Sequence, residues 1–392
     1  MAQLSQSRLQ KYPSISDLQK RAKQRLPLVA WEYLDMGTGD DIAVSRNRVG
    51  LERVTLQPQF LKGPQTQNTE TSLFGRKYAT PFGVAPVGLT GLMWPNAEKI
   101  LARAAAQYRF PYCLSTAATQ TPETIGALVD EMGWFQLYPP RDEIICDDLL
   151  NRASDNGFHT LVVTADVPAA SRRERTARAG LRMPPSITPY FVWQALLHPA
   201  WTAATLRNGV PRLRTVEKYA NATNIRNAAR FVGEEFGGTL SWEYLQRVRE
   251  LWDGPIVLKG ILHPDDAERA ISIGIDGIGV SNHGGRQFDA APAAIDVLST
   301  ITKQVNGRAK IIFDSGIRSG TDVVRTLALG ADFVLAGRAF MFGVAAFGEQ
   351  GGIHAAEILL ADLKTNMAQL GVTSIDEVKE LVPTVEGLQD RD

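Results

Sequence analysis

"KIIFDSGIRSGTDVVRTLALGADFVLAGR", Lys310–Arg338, decides the fold. Two short runs, KIIFD (310–314) and DFVLA (332–336), are nearly continuous in apolar residues. Between them, GTDVVRTLALG (320–330) repeats its apolar residues at spacings of three and four. Continuous apolar runs suit parallel strands buried on both faces. The intervening spacing suits a helix. The segment therefore predicts a strand, a covering helix and a second strand.

Working backward, the same unit recurs. Further runs are PFGVAP (81–86), YCLS (112–115), WFQLY (134–138), TLVVTA (160–165), PIVLK (255–259) and GIGVS (277–281). Stretches such as AEKILARAAAQYR separate them with helical spacing. Eight consecutive units predict an α/β fold, a closed (β/α)8 TIM barrel, over an open doubly wound sheet. The interval after the fourth run is much longer than the others, so an insertion is expected over 167–250. Residues 1–80 are expected to form an N-terminal helical cap, and 1–392 a single domain.

The totals narrow the function. Lys+Arg and Asp+Glu both number 42, a formal charge of zero, which gives no support to nucleic-acid binding. Two cysteines, Cys113 and Cys146, cannot build a disulfide framework and lack metal-ligand spacing, so no metal is expected and a reducing compartment is. The first residues, MAQLSQSRLQKYPSISDLQKRAKQRLP, have no apolar core and do not read as a signal peptide.

Barrel chemistry collects at the C-terminal ends of the strands. There the sequence sets Gln136 and Tyr138, Thr164 and Asp166, Lys259, Ser281 with His283 and Arg286, Asp314, and Gly337 with Arg338. One strand-end aspartate is commonly a turn residue. Several ionisable groups around one mouth are harder to explain by packing, because buried charges are paired or functional. The turns DSGIRSGTDV and AGRAFMFG are glycine-rich and enter helices, an arrangement suited to phosphate, with Arg318 and Arg338 as added cations.

SNHGGRQ resembles the signature of the FMN-dependent L-2-hydroxy acid dehydrogenase and oxidase family, which includes glycolate oxidase, lactate oxidase and (S)-mandelate dehydrogenase. WEYLDMGTGDD, APVGLTGLMWP, LSTAAT, WFQLY, TADVP, SRRER, LSWEYL, VLKG and FDSGIRSGTDV fall at family motifs in family order. The resemblance implies FMN as cofactor and oxidation of a 2-hydroxy acid to a 2-keto acid. It also implies roles. His283 would take a proton from the substrate, paired with Asp166. Arg286, Arg173 and Tyr33 would hold the carboxylate, and Tyr138 the hydroxyl. Lys259 would stabilise the reduced ring. Pro86, Val87, Gly88, Ser115, Gln136, Thr164 and Ser281 would border the cofactor. Asp314, Gly316, Arg318, Gly337 and Arg338 would take its ribityl chain and phosphate. A flavin-binding barrel without catalysis is the reading from another class, and the intact His283, Asp166, Tyr138, Lys259 and Arg286 argue against it.

Where glycolate oxidase carries tryptophan, this chain has Ala117, which predicts a wider pocket and a mandelate-like substrate, with lactate next. GLMWP, with Trp94, points to the same branch. The segment 183–206, MPPSITPYFVWQALLHPAWTAATL, carries no formal charge and is flanked by arginines at 182, 207, 212 and 214. Its four prolines exclude a spanning helix. Peripheral membrane contact is expected there, with a mobile lid as the alternative. The first implies a quinone acceptor and a cytoplasmic location on the inner face of the cell membrane; the second implies O2. No cytochrome domain is expected ahead of the barrel. A homo-oligomer, a tetramer, follows from family analogy alone.

Overall fold

A computed structural model describes residues 6–181, 188–220, 231, 235–236 and 240–385. Eight parallel strands close into a barrel: β1 (Phe82–Val84), β2 (Tyr112–Ser115), β3 (Gly133–Leu137), β4 (Thr160–Thr164), β5 (Ile256–Ile261), β6 (Gly277–Val280), β7 (Lys310–Phe313) and β8 (Phe333–Ala336). Each pairs with the next, and β8 returns to β1 through Val334↔Phe82 and Ala336↔Val84. The strands fall within the predicted runs, except that β3 starts one residue earlier, at Gly133, and β5 extends two residues further, to Ile261. Barrel core and helices bury both strand faces, so the apolar runs need not alternate.

The helices begin where the sequence supplies a cap. Thr121 accepts from Thr124 N ahead of Pro122–Val129, and Ser319 accepts from Asp322 N ahead of Gly320–Ala328. The second of these sets the direction of the glycine-rich turn after β7.

The N-terminal region does two jobs. Helices Leu28–Asp35 and Ile42–Glu52 lie over the C-terminal mouth, where the carbonyls of Tyr33, Leu34 and Met36 accept from Arg286 and Arg338. A hairpin, Thr71–Leu73 with Arg76–Tyr78, closes the opposite end. Its Phe74 reaches the start of β6, and Tyr78 lies 5.6 Å from Phe333. Trp134 donates its indole N–H to the Tyr78 hydroxyl at 3.1 Å and packs 6.1 Å from Phe333. The rings of Tyr78, Trp134 and Phe333 are buried, each stabilising the floor by about 1.5–3 kcal/mol, while Phe74 is partly buried against them. A cap on one end alone was the expectation; strands of three residues are too short to show their period in sequence. A two-residue ribbon, Val54–Thr55 with Thr384–Val385, ties the stretch after helix Ile42–Glu52 to the last described residues.

Between β4 and β5, helix Trp242–Leu251 takes the place of the ordinary covering helix, so the extra chain lies ahead of it. Helices Pro189–Leu197 and Pro199–Asn208 belong to that extra chain. Residues 182–187, including the first part of the 183–206 segment, lie outside the described residues.

Candidate active site

A cavity of about 420 Å³ opens at the mouth, between the strand ends and the cap. Pro86, Val87, Gly88, Ala117, Tyr138, Thr164, Lys259, His283, Arg286, Asp314, Gly316, Arg318, Gly337 and Arg338 line it, with Tyr33 and Arg173 from the cap and insertion. Ser115, Gln136, Asp166 and Ser281 stand behind this wall. Ser115 Oγ donates to Gln136 Oε1 at 2.8 Å, and Gln136 Nε2 donates to Thr164 Oγ1 at 3.0 Å, a chain across β2, β3 and β4. Among the described residues no group of His, Cys, Asp and Glu is placed to hold a metal ion.

His283 sits just past β6 with φ of 58°, a left-handed conformation unusual for a side-chain-bearing residue. Its Nδ1 lies 2.8 Å from Asp166 Oδ1, and its Nε2 lies 3.5 Å from the Tyr138 hydroxyl. The carboxylate accepts only, so Nδ1 carries the proton and Nε2 keeps its lone pair. Burial pushes the imidazole below its ordinary range, against the pull of Asp166. Burial alone would raise Asp166, but the His283 ring and the Lys259 ammonium hold it below the usual carboxylate range. The pair is therefore a neutral imidazole oriented by an ionised carboxylate. Tyr138 is pushed up to about 12 by burial and then by Asp166, so it is a hydroxyl donor.

Gly260 makes that approach sterically feasible. It lies in the irregular end of β5 with φ of 102°, and a Cβ there would come within 2.6 Å of the Asp166 side chain. Beside it Lys259 Nζ contacts Asp314 Oδ2 at 2.8 Å and donates to Ser281 Oγ at 2.9 Å. Ser281 donates onward to Asp314 Oδ1 at 2.5 Å. Burial would lower the ammonium, but Asp314 and Asp166 more than reverse this, so it stays charged.

The cavity is electropositive. Arg173, Lys259, Arg286, Arg318 and Arg338 line it against a single carboxylate, Asp314. Three of these guanidiniums meet backbone oxygens rather than carboxylates. Arg286 donates to Tyr33 O and Met36 O, Arg318 to Ile317 O, and Arg338 to Leu34 O, Gly284 O and Met36 O. Burial and neighbouring arginines push Arg286 down to about 9, and Arg318 and Arg338 down to about 10. All three remain charged at neutral pH, and a bound anion would relieve their repulsion.

Leu181, Leu213, Val216 and Phe236 of the insertion add an apolar wall that sequence reasoning missed. Only the i, i+3 spacing of Leu213 and Val216 hinted at it. Also missed was Arg175, which binds Glu32, Asp35 and Asp41 at 2.5, 3.1 and 2.5 Å and fastens the insertion to the cap. It is two residues from Arg173, which caps helix Glu174–Arg178.

Residues 22–383 match the family model described as FMN-dependent dehydrogenase. The chain is 39% identical over 365 residues to an L-lactate dehydrogenase of Pseudomonas aeruginosa, covering 93% of this chain and 96% of that one. An L-lactate dehydrogenase of Pectobacterium atrosepticum is 38% identical, covering 93% and 94%. Among solved structures, the monotopic membrane protein (S)-mandelate dehydrogenase superposes with a TM-score of 0.90 at 32% identity, covering 95% of this chain and 99% of the other. A mandelate oxidase gives 0.82 at 36% identity with the same coverage.

Proposed function

This chain belongs to the FMN-dependent dehydrogenase family and is an FMN-dependent oxidoreductase of L-2-hydroxy acids, and we propose that its substrate carries a bulky apolar side chain, as mandelate does. The observation that carries the reading is the His283 Nε2 lone pair facing the same cavity as Arg286 and Arg173. A base and a carboxylate clamp at one mouth suit a substrate with its hydroxyl next to its carboxylate. The apolar wall and Ala117 support a large side chain.

The residues fit the cofactor. Arg318 and Arg338 are half-buried cations that make no ion pair with a carboxylate among the described residues, beside glycine turns at Gly316 and Gly337, which suits a phosphate. Pro86, Val87, Gly88, Ser115, Gln136, Thr164, Lys259, Ser281 and Asp314 would hold the rest of FMN. When bound, FMN accepts the two electrons that leave the substrate α-carbon. The protein does the remainder. Arg286 and Arg173 bind and orient the carboxylate, with Tyr33 as a further donor. Tyr138 donates to the substrate oxygen. His283 withdraws a proton at Nε2, and Asp166 stabilises the imidazolium that forms. Lys259 keeps a fixed positive charge in the cavity where negative charge develops.

The insertion supports a reading of the acceptor. Tyr190, Trp193, Leu196 and Leu197 on helix Pro189–Leu197 are each more than half exposed. Trp201 anchors the neighbouring helix by donating to Leu92 O at 3.0 Å. An apolar face held at the mouth suits peripheral contact with a membrane, and with it a quinone acceptor. No helix among the described residues is long and apolar enough to cross a membrane. The likeness to a mandelate oxidase favours O2 as the second reading.

The test is anaerobic addition of lactate, mandelate, glycolate and longer 2-hydroxy acids to the flavin-loaded protein, followed by a quinone analogue or O2. Mandelate is expected to bleach the flavin fastest and the quinone to restore it. Bleaching by none of them would overturn the reading.

A further inference from the structure

Behind the turn that carries His283 lies a pair of buried amides with no part in the chemistry above. Asn47, on cap helix Ile42–Glu52, is 2% exposed, and Asn282 is 4% exposed. Asn47 Nδ2 donates to Asn282 Oδ1 at 2.7 Å, and Asn282 Nδ2 donates back to Asn47 Oδ1 at 2.8 Å. Backbone groups fix which end of each amide is which. Asn282 Oδ1 also accepts from Gly285 N, Asn282 Nδ2 also donates to Pro292 O, and Asn47 Oδ1 accepts from Ala294 N. Turning either amide over would set donor against donor.

The turn needs such support. His283, Gly284 and Gly285 are left-handed in succession, with φ of 58°, 65° and 75°. For a residue with a Cβ this conformation costs about 1–2 kcal/mol. Ser281 Oγ accepts from His283 N and Ser315 Oγ accepts from Gly284 N, both from the barrel. Gly285 N is shared between two oxygens of Asn282, the carbonyl at 3.0 Å and the side-chain Oδ1 at 3.1 Å, and the side-chain amide is held by Asn47 from the cap. The next residue along the cap helix serves a different turn. Arg48 Nη1 donates to Gly316 O at 2.6 Å and to Asp322 Oδ2 at 2.7 Å, and Asp322 Oδ2 also accepts from Arg318 N at 2.8 Å.

We infer that Asn47 is a positioning residue for the proton-accepting histidine: through the Asn282 amide it holds the 283–285 turn in its left-handed form, while Arg48 independently holds the Gly316–Arg318 turn. The inference rests on the reading of His283 as the base. The imidazole is faced by Asp166, Tyr138, Lys259 and Arg173. Asn47 is uncharged, so it acts on the ring only by fixing its place and excluding water.

The experiment compares Asn47→Ala, Asn47→Ser, Arg48→Met and His283→Gln as flavin-loaded proteins. FMN affinity, kcat and the pH profile of kcat/KM are measured for each. Asn47→Ala is expected to lower kcat by about 10–100-fold, the scale of an ångström-size misplacement. Its acid limb moves up toward the ordinary imidazole value of about 6.5 as water reaches the ring, and its FMN affinity stays unchanged. Asn47→Ser keeps an acceptor for Ala294 N and falls between it and the parent. Arg48→Met weakens FMN binding and leaves the acid limb in place. Parental rate and pH profile in both Asn47 variants overturn the inference. So does failure of both to fold with FMN, which assigns Asn47 to stability. Inactive His283→Gln with unaffected Asn47 variants removes the inference alone; active His283→Gln removes the base reading and the inference with it.

Discussion

Lys259 and Asp314 form a buried ion pair, 2.8 Å from Nζ to Oδ2, reaching across β6 from the ends of β5 and β7. Both are about nine-tenths buried, and Ser281 bridges them. Removing one partner leaves the other charge without its counterion in a dry site, which costs about 3–5 kcal/mol. Lys259→Met is therefore expected to lower unfolding stability by that amount in urea titration, and Lys259→Met with Asp314→Asn to regain part of it. Equal stability of the two variants would show that the pair is not coupled.

On the proposed reading of His283 as the base, the Asp166–His283 pair sets the pH response. The base must be neutral, and burial holds its folded pKa below the ordinary value of about 6.5. Activity is then present above the depressed pKa and is lost as pH falls through it. Asp166 is the group that pulls the imidazole upward. Asp166→Asn should move the acid limb of kcat/KM to lower pH and reduce kcat by about 10²–10⁴-fold, since the imidazolium loses its partner. A limb that moves upward would contradict this assignment.

Ala117 tests the pocket. A Cβ on Gly88 would lie 3.1 Å from that of Ala117, so the wall here is already close. Ala117→Trp should raise KM for mandelate at least about tenfold, through loss of apolar contact and overpacking, while glycolate oxidation persists. An unchanged mandelate KM would place the side chain elsewhere in the cavity.

The exposed face of Pro189–Leu197 gives a separate measurement. Trp193→Ser with Leu196→Ser and Leu197→Ser should move the protein from pellet to supernatant in sedimentation with phosphatidylglycerol vesicles. Anaerobic flavin reduction by substrate should remain at the parental rate. Equal pelleting of parent and variant would leave the helix without a lipid role.

Most of the barrel was legible because each strand needs only a short apolar run, and burial on both faces makes that run continuous. His283, Arg286 and Lys259 were legible because strand ends are fixed once strands are placed. The floor hairpin was not, since three residues carry too little pattern. Nor was Asn47. A buried asparagine in a helix looks like a surface one until its partner is known, and that partner lies far along the chain. The apolar wall from Leu213 and Val216 was equally hidden, because an irregular insertion has no period to project.

The aromatic floor made by Phe74, Tyr78, Trp134 and Phe333 has a kinetic corollary. With that end plugged by tilted and edge-on rings, reactants enter and leave from the cap side. Keto acid must vacate it before an oxidant enters, so steady-state plots against both reactants should run parallel, and product should compete with the oxidant rather than with the hydroxy acid.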